Sequence, residues 1–119
     1  MTLKIKELSV SHGAIPALQE ISFEVPDGKI VAVIGANGAG KTTLLRTISG
    51  LMKPTSGSIS WNSQELSGNR PEAIVRSGIA HVSEGKSVIP ELTVKENLLL
   101  GALWRKNREE SINSLANVF

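Results

Sequence analysis

An apolar segment that runs directly into a glycine-rich loop narrows the possible folds of this chain more than any other stretch of its sequence. Residues 30–34 are apolar at every position and are bounded by turn residues. Such a run is typical of a central strand that is covered on both faces. Behind the loop, Leu44, Leu45 and Ile48 recur at helical spacing, and Gly50 offers a C-terminal stop. The order strand, loop, helix predicts an α/β fold.

The loop between that segment and the helix has the composition of a phosphate-binding site. It matches the pattern G-x-x-x-x-G-K-[ST] at all four fixed positions. Small residues let backbone amides approach an anion, and the following helix adds free amides and the positive end of its dipole. The alternative is a tight glycine-rich turn with a solvated lysine. The loop consists of Gly35, Ala36, Asn37, Gly38, Ala39, Gly40, Lys41 and Thr42.

Three polar side chains at the end of the loop have predicted roles. Lys41 is expected to reach the β- and γ-phosphates of ATP, and the Thr42 hydroxyl is expected to ligate Mg²⁺. Thr43 can donate a hydrogen bond to the α-phosphate. The sequence therefore predicts ATP and Mg²⁺ as cofactors, and Lys41 as a catalytic as well as a binding residue.

The segments before the loop predict antiparallel strands. Leu3 and Ile5 alternate with lysines, the alternation slips at Glu7, and it resumes afterwards, which indicates a strand with a bulge. Residues 21–25 alternate in the same way and end at the turn over 26–28, as in a half-buried strand.

The segments after the loop predict further short elements. Residues 58–62 read as a short strand, and residues 79–82 as another buried strand. Pro71 is placed to begin a helix that ends near residue 78. Thr93 and Glu96 form the pattern of a capping box, which predicts a helix from Val94 to about Trp104.

The overall composition excludes several classes of protein. A formal net charge of +2 gives no reason to expect nucleic acid as a partner, and the absence of cysteine excludes disulfides and thiolate metal sites. The N-terminus lacks the apolar segment of a signal peptide, and no apolar run approaches the length of a membrane span. We expect a soluble, cytoplasmic protein.

Four stretches of the chain resemble the N-terminal part of an ATP-binding cassette (ABC) ATPase, most of all the ATP-binding subunits of branched-chain amino acid importers. They occur in the order and spacing of that family, so the resemblance extends over essentially all of 1–119. It implies one α/β domain portion of the P-loop NTPase type, with N-terminal antiparallel strands and a partial central sheet with helices. The stretches are 33–45, 54–57, 79–85 and 92–98.

The resemblance also implies two site residues at positions where this chain departs from the wider superfamily. His12 stands where most members have an aromatic residue that stacks on adenine, and Glu84 stands where most have the glutamine of the Q-loop. Glu84 is thereby expected near Mg²⁺ and the γ-phosphate, as a metal-binding and catalytic residue. The alternatives are a surface histidine at a strand end and a solvated loop carboxylate.

Other motifs of the family lie beyond this chain. Residues 66–70 resemble the start of its LSGGQ signature, but they precede the Q-loop position and are predicted to be a surface turn. The true signature, the Walker B carboxylate and the adjacent catalytic glutamate follow later in the family. We therefore expect nucleotide binding without turnover from these residues alone. One edge of segment 30–34 also lacks its family neighbour, which predicts self-association.

The resemblance finally implies partners. In full-length form, the leading hypothesis is an importer subunit that couples ATP hydrolysis to uptake of branched-chain amino acids. Its partners would be transmembrane permease subunits and a second ATP-binding subunit, at the inner face of the cell membrane. The alternatives are a non-transport ABC protein and a nucleotide-binding fragment without catalysis.

Overall fold

The computed structural model describes residues 2–36, 38–83, 85, 88–102 and 113–117. The chain divides into two compact units, Met1–Ile79 and Ala80–Phe119, and each is described by itself. The first unit contains β1 (Leu3–His12), β2 (Ile15–Val25), α1 (Lys41–Ile48), β3 (Ser56–Trp61), β4 (Gln64–Glu65) and α2 (Pro71–Arg76). The second contains α3 (Val94–Leu100) and a helical stretch over 113–117.

The four strands form one antiparallel sheet in the order β2-β1-β3-β4. Strands β1 and β2 are joined by a two-residue loop, because His12 pairs directly with Ile15. Strand β2 begins six residues earlier than the alternation over 21–25 predicts. Its early part contains Pro16, which lacks a backbone N–H and is accommodated because β2 is an edge strand.

The bulge predicted at Glu7 is present and has a counterpart on β2. Glu7 and Glu20 adopt positive φ angles of 49° and 48°, and the β1–β2 register shifts around them. The amide of Glu7 donates to Ser22 Oγ at 2.8 Å, and the amide of Glu20 donates to Ser9 Oγ at 3.0 Å. A hydroxyl from the opposite strand thus satisfies each amide that the bulge removes from the ladder.

The bulge on β1 determines which of its side chains enter the core. Ile5 and Leu8 are an odd number of residues apart and would face opposite sides of a regular strand. With the extra residue between them both are buried, and Val10 joins them on the same face. The predicted bulge is therefore confirmed, and it places the three apolar side chains on the same face of β1.

The core of the first unit is aliphatic and lies between the sheet and the helices. Leu44 and Ile48 of α1 are buried, whereas Leu45 remains 47% exposed, so α1 packs along a narrow stripe. Trp61 lies at the margin of the core, and its indole N–H donates to the carbonyl of Ser77 at 3.0 Å. The buried cluster consists of Ile5, Leu8, Val10, Leu18, Leu44, Ile48, Ile59, Leu66 and Ile74.

The predictions of buried strands over 30–34 and 79–82 are wrong. Neither segment belongs to a strand, Ile30 and Ile34 are 98% and 93% exposed, and Val82 is 86% exposed. The physical reason is the same for both. An apolar run becomes a strand only beside a hydrogen-bonding neighbour, and the described residues provide none for either segment. The antiparallel sheet and short helices of the predicted fold are otherwise confirmed.

In the second unit, the predicted helix begins at the expected residue. The amide of Glu96 donates to Thr93 Oγ1 at 3.1 Å, so Thr93 caps α3, and the Thr93 hydroxyl donates to the Glu96 carboxylate. Asn97 then ties α3 to the preceding segment, because its side chain both accepts from and donates to the backbone of Ile89. The helix ends earlier than predicted, because α3 stops at Leu100 with Gly101 as its C-cap residue, whereas the sequence predicts an end near Trp104.

Residues 66–70 form a turn that leads into α2, as predicted, although Leu66 itself is buried. None of the helices in the described ranges has the length and apolar character needed to span a bilayer.

Candidate phosphate-binding site

The candidate site is built around the first turn of α1, which begins directly after the glycine-rich loop. Gly40 is the N-cap residue, and the first helical hydrogen bond runs from the amide of Leu44 to the carbonyl of Gly40 at 2.9 Å. The amides of residues 41–43 therefore have no acceptor within the helix. In the part of the chain that the structure describes, no side chain caps this end, and the first turn carries no acidic residue. The turn is consequently a cluster of donors suited to an anion.

Gly40 fixes this turn against the edge strand β2. Its φ angle is 97°, a conformation that side-chain-bearing residues rarely adopt. A Cβ atom at Gly40 would also lie 2.7 Å from Leu18 Cδ2 and 2.8 Å from the carbonyl oxygen of Ala17. The loop can thus lie against the sheet only because this residue is glycine.

Lys41 bridges the two ends of the loop. Its ammonium group donates a hydrogen bond to the carbonyl oxygen of Gly35, and its side chain is half-buried. Within the loop, the amide of Ala39 donates to the carbonyl of Ala36 at 3.0 Å, which closes a tight turn. The hydrogen bond holds the Lys41 ammonium group across the loop. An anion bound in the loop could replace the Gly35 carbonyl as the acceptor of that group.

Thr42 and Thr43 lie side by side but in different environments. Thr42 is exposed, whereas Thr43 is 8% exposed and is contacted by the first strand. His12 Nε2, at the end of β1, lies 3.2 Å from Thr43 Oγ1. Thr47 Oγ1 donates to the Thr43 carbonyl at 2.7 Å and holds the same turn from the other side.

The structure therefore brings most of the predicted site residues together. His12, Thr43 and the described residues of the loop all belong to the first unit and adjoin the start of α1. Asn37 and Glu84, the two remaining predicted site residues, lie outside the described residues.

An apolar cavity of about 330 Å³ adjoins the loop. Residues of β2 line it together with residues 31–34. The lining also includes residues 39–41 and Leu44 of α1. Segment 30–34 is thus exposed to solvent without being remote from the sheet.

The donors at this site fit a polyphosphate. Free helix amides, one ammonium group and two hydroxyl groups offer hydrogen bonds and positive charge with no carboxylate in the first turn. Among the described residues, no group of three or more histidine, aspartate or glutamate side chains is arranged to hold a metal ion. Thr42 is then a candidate single ligand for Mg²⁺, an ion that retains several waters and binds through substrate phosphates.

A comparison with protein families agrees with this geometry. The profile of the ABC transporter family matches residues 18–118, which is most of the chain. The chain belongs to the ABC transporter family. The matched range includes the whole glycine-rich loop, α1 and α3, so both compact units contribute to the match.

Two relatives to which this ABC transporter sequence is similar are named as ATP-binding proteins of transport systems. It is 46% identical over 102 residues to the high-affinity branched-chain amino acid transport ATP-binding protein BraG of Pseudomonas aeruginosa, covering 86% of this chain and 44% of BraG. It is 38% identical over 104 residues to the arabinose import ATP-binding protein AraG of Escherichia coli, covering 87% of this chain and 21% of AraG. The chain spans less than half the length of either relative.

Solved structures of ABC cassettes confirm the fold. An ATP-binding subunit of an ABC transporter superposes with a TM-score of 0.80 at 38% identity, covering 92% of this chain and 45% of that one. A nucleotide-free ATP-binding cassette superposes with a TM-score of 0.79 at 28% identity, covering 96% and 46%. The N-terminal portion of the cassette fold, with its antiparallel sheet and short helices, is therefore present.

Two contacts at the site were not predicted from the sequence. One joins His12 to Thr43, and the other places Gly40 against Ala17 and Leu18. Both contacts join residues that are far apart in the sequence, and no local sequence pattern predicts either contact. The resemblance singled out His12, but for a role toward adenine rather than for this contact.

Proposed function

We propose that this chain binds Mg·ATP through residues 35–43, as the N-terminal portion, 1–119, of an ABC ATP-binding domain. The observation that carries the proposal is the convergence of free amides and the Lys41 ammonium group on one turn without a carboxylate. ATP presents several negatively charged oxygens in a small volume, which such a cluster matches better than it matches any neutral ligand.

Each residue of the site has a proposed part in binding. Lys41 exchanges its hydrogen bond with the Gly35 carbonyl for the β- and γ-phosphates, while the amides of residues 41–43 bond to phosphate oxygens. Thr42 is exposed and ligates Mg²⁺, which when bound neutralises charge on the phosphates. The face of the His12 ring stacks on adenine. Glu84 acts near Mg²⁺ and the γ-phosphate.

We further propose that the full-length protein is the ATP-binding subunit of an importer for branched-chain amino acids. The 46% identity to BraG supports this substrate class, and it exceeds the 38% identity to AraG. The proposed partners are transmembrane permease subunits and a second ATP-binding subunit at the inner membrane face. For the 119 residues alone we propose binding without hydrolysis, because no apolar run after Thr42 ends in an Asp-Glu pair.

Titration calorimetry with Mg·ATP tests the central proposal. Lys41→Ala is expected to remove most of the binding, because charge-assisted hydrogen bonds to phosphate are stronger than neutral ones. Lys53→Ala is the matched control, since it removes an exposed lysine outside the loop. Equal affinities for the wild type and Lys41→Ala would contradict phosphate binding by this loop.

A further inference from the structure

The contact between His12 and Thr43 joins the end of β1 to the turn that carries the phosphate donors. His12 Nε2 lies 3.2 Å from Thr43 Oγ1, although the residues are 31 positions apart. Thr43 as a whole is only 8% exposed. His12 itself is exposed and occupies the last position of β1. The contact therefore joins a largely buried threonine of the site to an exposed histidine.

A threonine hydroxyl in a helix has two competing orientations. Its Oγ1 atom can turn back toward a carbonyl of the preceding turn, or it can face a partner outside the helix. The neighbour at Nε2 favours the second orientation at Thr43, with Oγ1 toward β1. A hydroxyl both accepts and donates hydrogen bonds. If Nε2–H donates to Oγ1, the Thr43 proton stays available for a phosphate oxygen.

We propose that His12 is a positioning residue for the phosphates, acting through Thr43, in addition to any contact that its ring makes with a base. The edge of the imidazole holds Oγ1 so that the Thr43 hydroxyl proton is directed to the bound phosphate chain. The contact uses only a ring nitrogen, so it does not itself occupy either face of the ring. This inference rests on the proposed function, since it assigns His12 a role in binding the same ligand.

The two roles of His12 make different demands on the ligand. Stacking requires a base, whereas positioning of Thr43 acts on any ligand that has the phosphate chain. Inorganic tripolyphosphate with Mg²⁺ has the chain and lacks the base. A substitution at His12 that weakens its binding must therefore act through the phosphate side of the site.

The test is a double-mutant cycle measured by titration calorimetry with Mg·ATP and with Mg·tripolyphosphate. His12→Phe keeps an aromatic face and removes the hydrogen bond, and Thr43→Val keeps the shape and removes the hydroxyl. Each substitution is expected to lower the affinity for both ligands by about three- to tenfold, which corresponds to the usual contribution of one hydrogen bond. The double variant is expected to lose no more affinity than Thr43→Val alone, because without the Thr43 hydroxyl His12 has nothing left to position.

His12→Gln supplies the rescue, since its amide can donate to Oγ1 but cannot stack as a ring does. Its affinity for tripolyphosphate is expected to stay within about twofold of the wild type. Thermal unfolding by circular dichroism confirms that each variant is folded before its affinity is compared.

The outcomes separate this inference from the function on which it rests. A wild-type chain that binds neither ligand overturns both. A wild-type chain that binds ATP, with additive losses in the cycle, overturns only the role of His12. Unchanged binding of tripolyphosphate by His12→Phe also overturns only the role of His12 toward the phosphates, because it leaves stacking on the base as the one role of that residue.

Discussion

Gly57 lies against the backbone of Glu7 so closely that a Cβ atom at Gly57 would be 2.2 Å from the Glu7 carbonyl oxygen. Glu7 is the residue of the β1 bulge, and Gly57 belongs to the strand that pairs with β1 on its other side. The bulge therefore requires a residue without a side chain on the neighbouring strand. The close approach of β1 and β3 at the bulge, which precedes the buried Leu8, depends on the contact between Glu7 and Gly57.

The first prediction concerns the stability of that arrangement. Gly57→Ala is expected to lower the free energy of unfolding by at least about 2 kcal/mol, because the new methyl group meets backbone that cannot move aside. Gly68→Ala is the matched control. Its φ of 81° is close to the 85° of Gly57, but nothing lies within 4 Å of its Cβ position. Urea denaturation measures both, and equal losses would contradict the role assigned to the close contact.

A second prediction concerns turnover. The purified chain is expected to release no phosphate from Mg·ATP, since no apolar run after Thr42 ends in the Asp-Glu pair whose glutamate would activate water. A steady-state phosphate assay measures this, with Thr42→Ala as the background. Release that the wild type supports and Thr42→Ala abolishes would show that these residues catalyse hydrolysis by themselves.

A third prediction concerns assembly. Ile30 is 98% exposed at the head of an apolar segment, which favours association between copies of the chain. The wild type is expected to exceed monomer mass in dilute buffer by light scattering, and Ile30→Glu is expected to move it toward the monomer. Lys29→Glu controls for the change in charge at the neighbouring position. A wild type that remains monomeric with cooperative unfolding would contradict the prediction.

A fourth prediction concerns the second unit, where Asn97 donates to the carbonyls of Ile89, Leu92 and Thr93. Asn97→Asp keeps the shape of the side chain and removes these donors. The local stability of α3 is expected to fall by about 1–2 kcal/mol. Amide hydrogen exchange across α3 measures the loss. Asn69→Asp, which removes one side-chain bond in the first unit, is the control and is expected to leave α3 unchanged.

The elements that could be predicted from the sequence are those whose causes are local. Thr93 and Glu96 predict the start of α3, because helix capping involves only residues within one turn. The slip in alternation at Glu7 predicts the bulge, because alternation is a property of a single strand. The glycine-rich loop also predicts the helix after it, since binding a phosphate in such a loop requires the first amides of that helix.

The elements that could not be predicted depend on neighbours that are distant in the chain or absent from the described sheet. Segment 30–34 has the composition of a buried strand, but composition does not supply a hydrogen-bonding partner. The His12–Thr43 contact depends on where the end of β1 meets α1. In the candidate site, the residues of the loop followed from its motif, whereas the contacts that hold the loop against β2 did not.

The edge strands of the sheet bear on the form that any assembly of this chain takes. Pro16 lies in β2, at one edge, and denies an incoming strand a backbone donor, while β4, at the other edge, is two residues long. Neither edge is therefore a good template for endless strand addition. If copies associate through segment 30–34 alone, each copy offers one adhesive surface, and a single self-complementary surface is consumed when two copies meet. Association of that kind alone would produce closed pairs and not fibres.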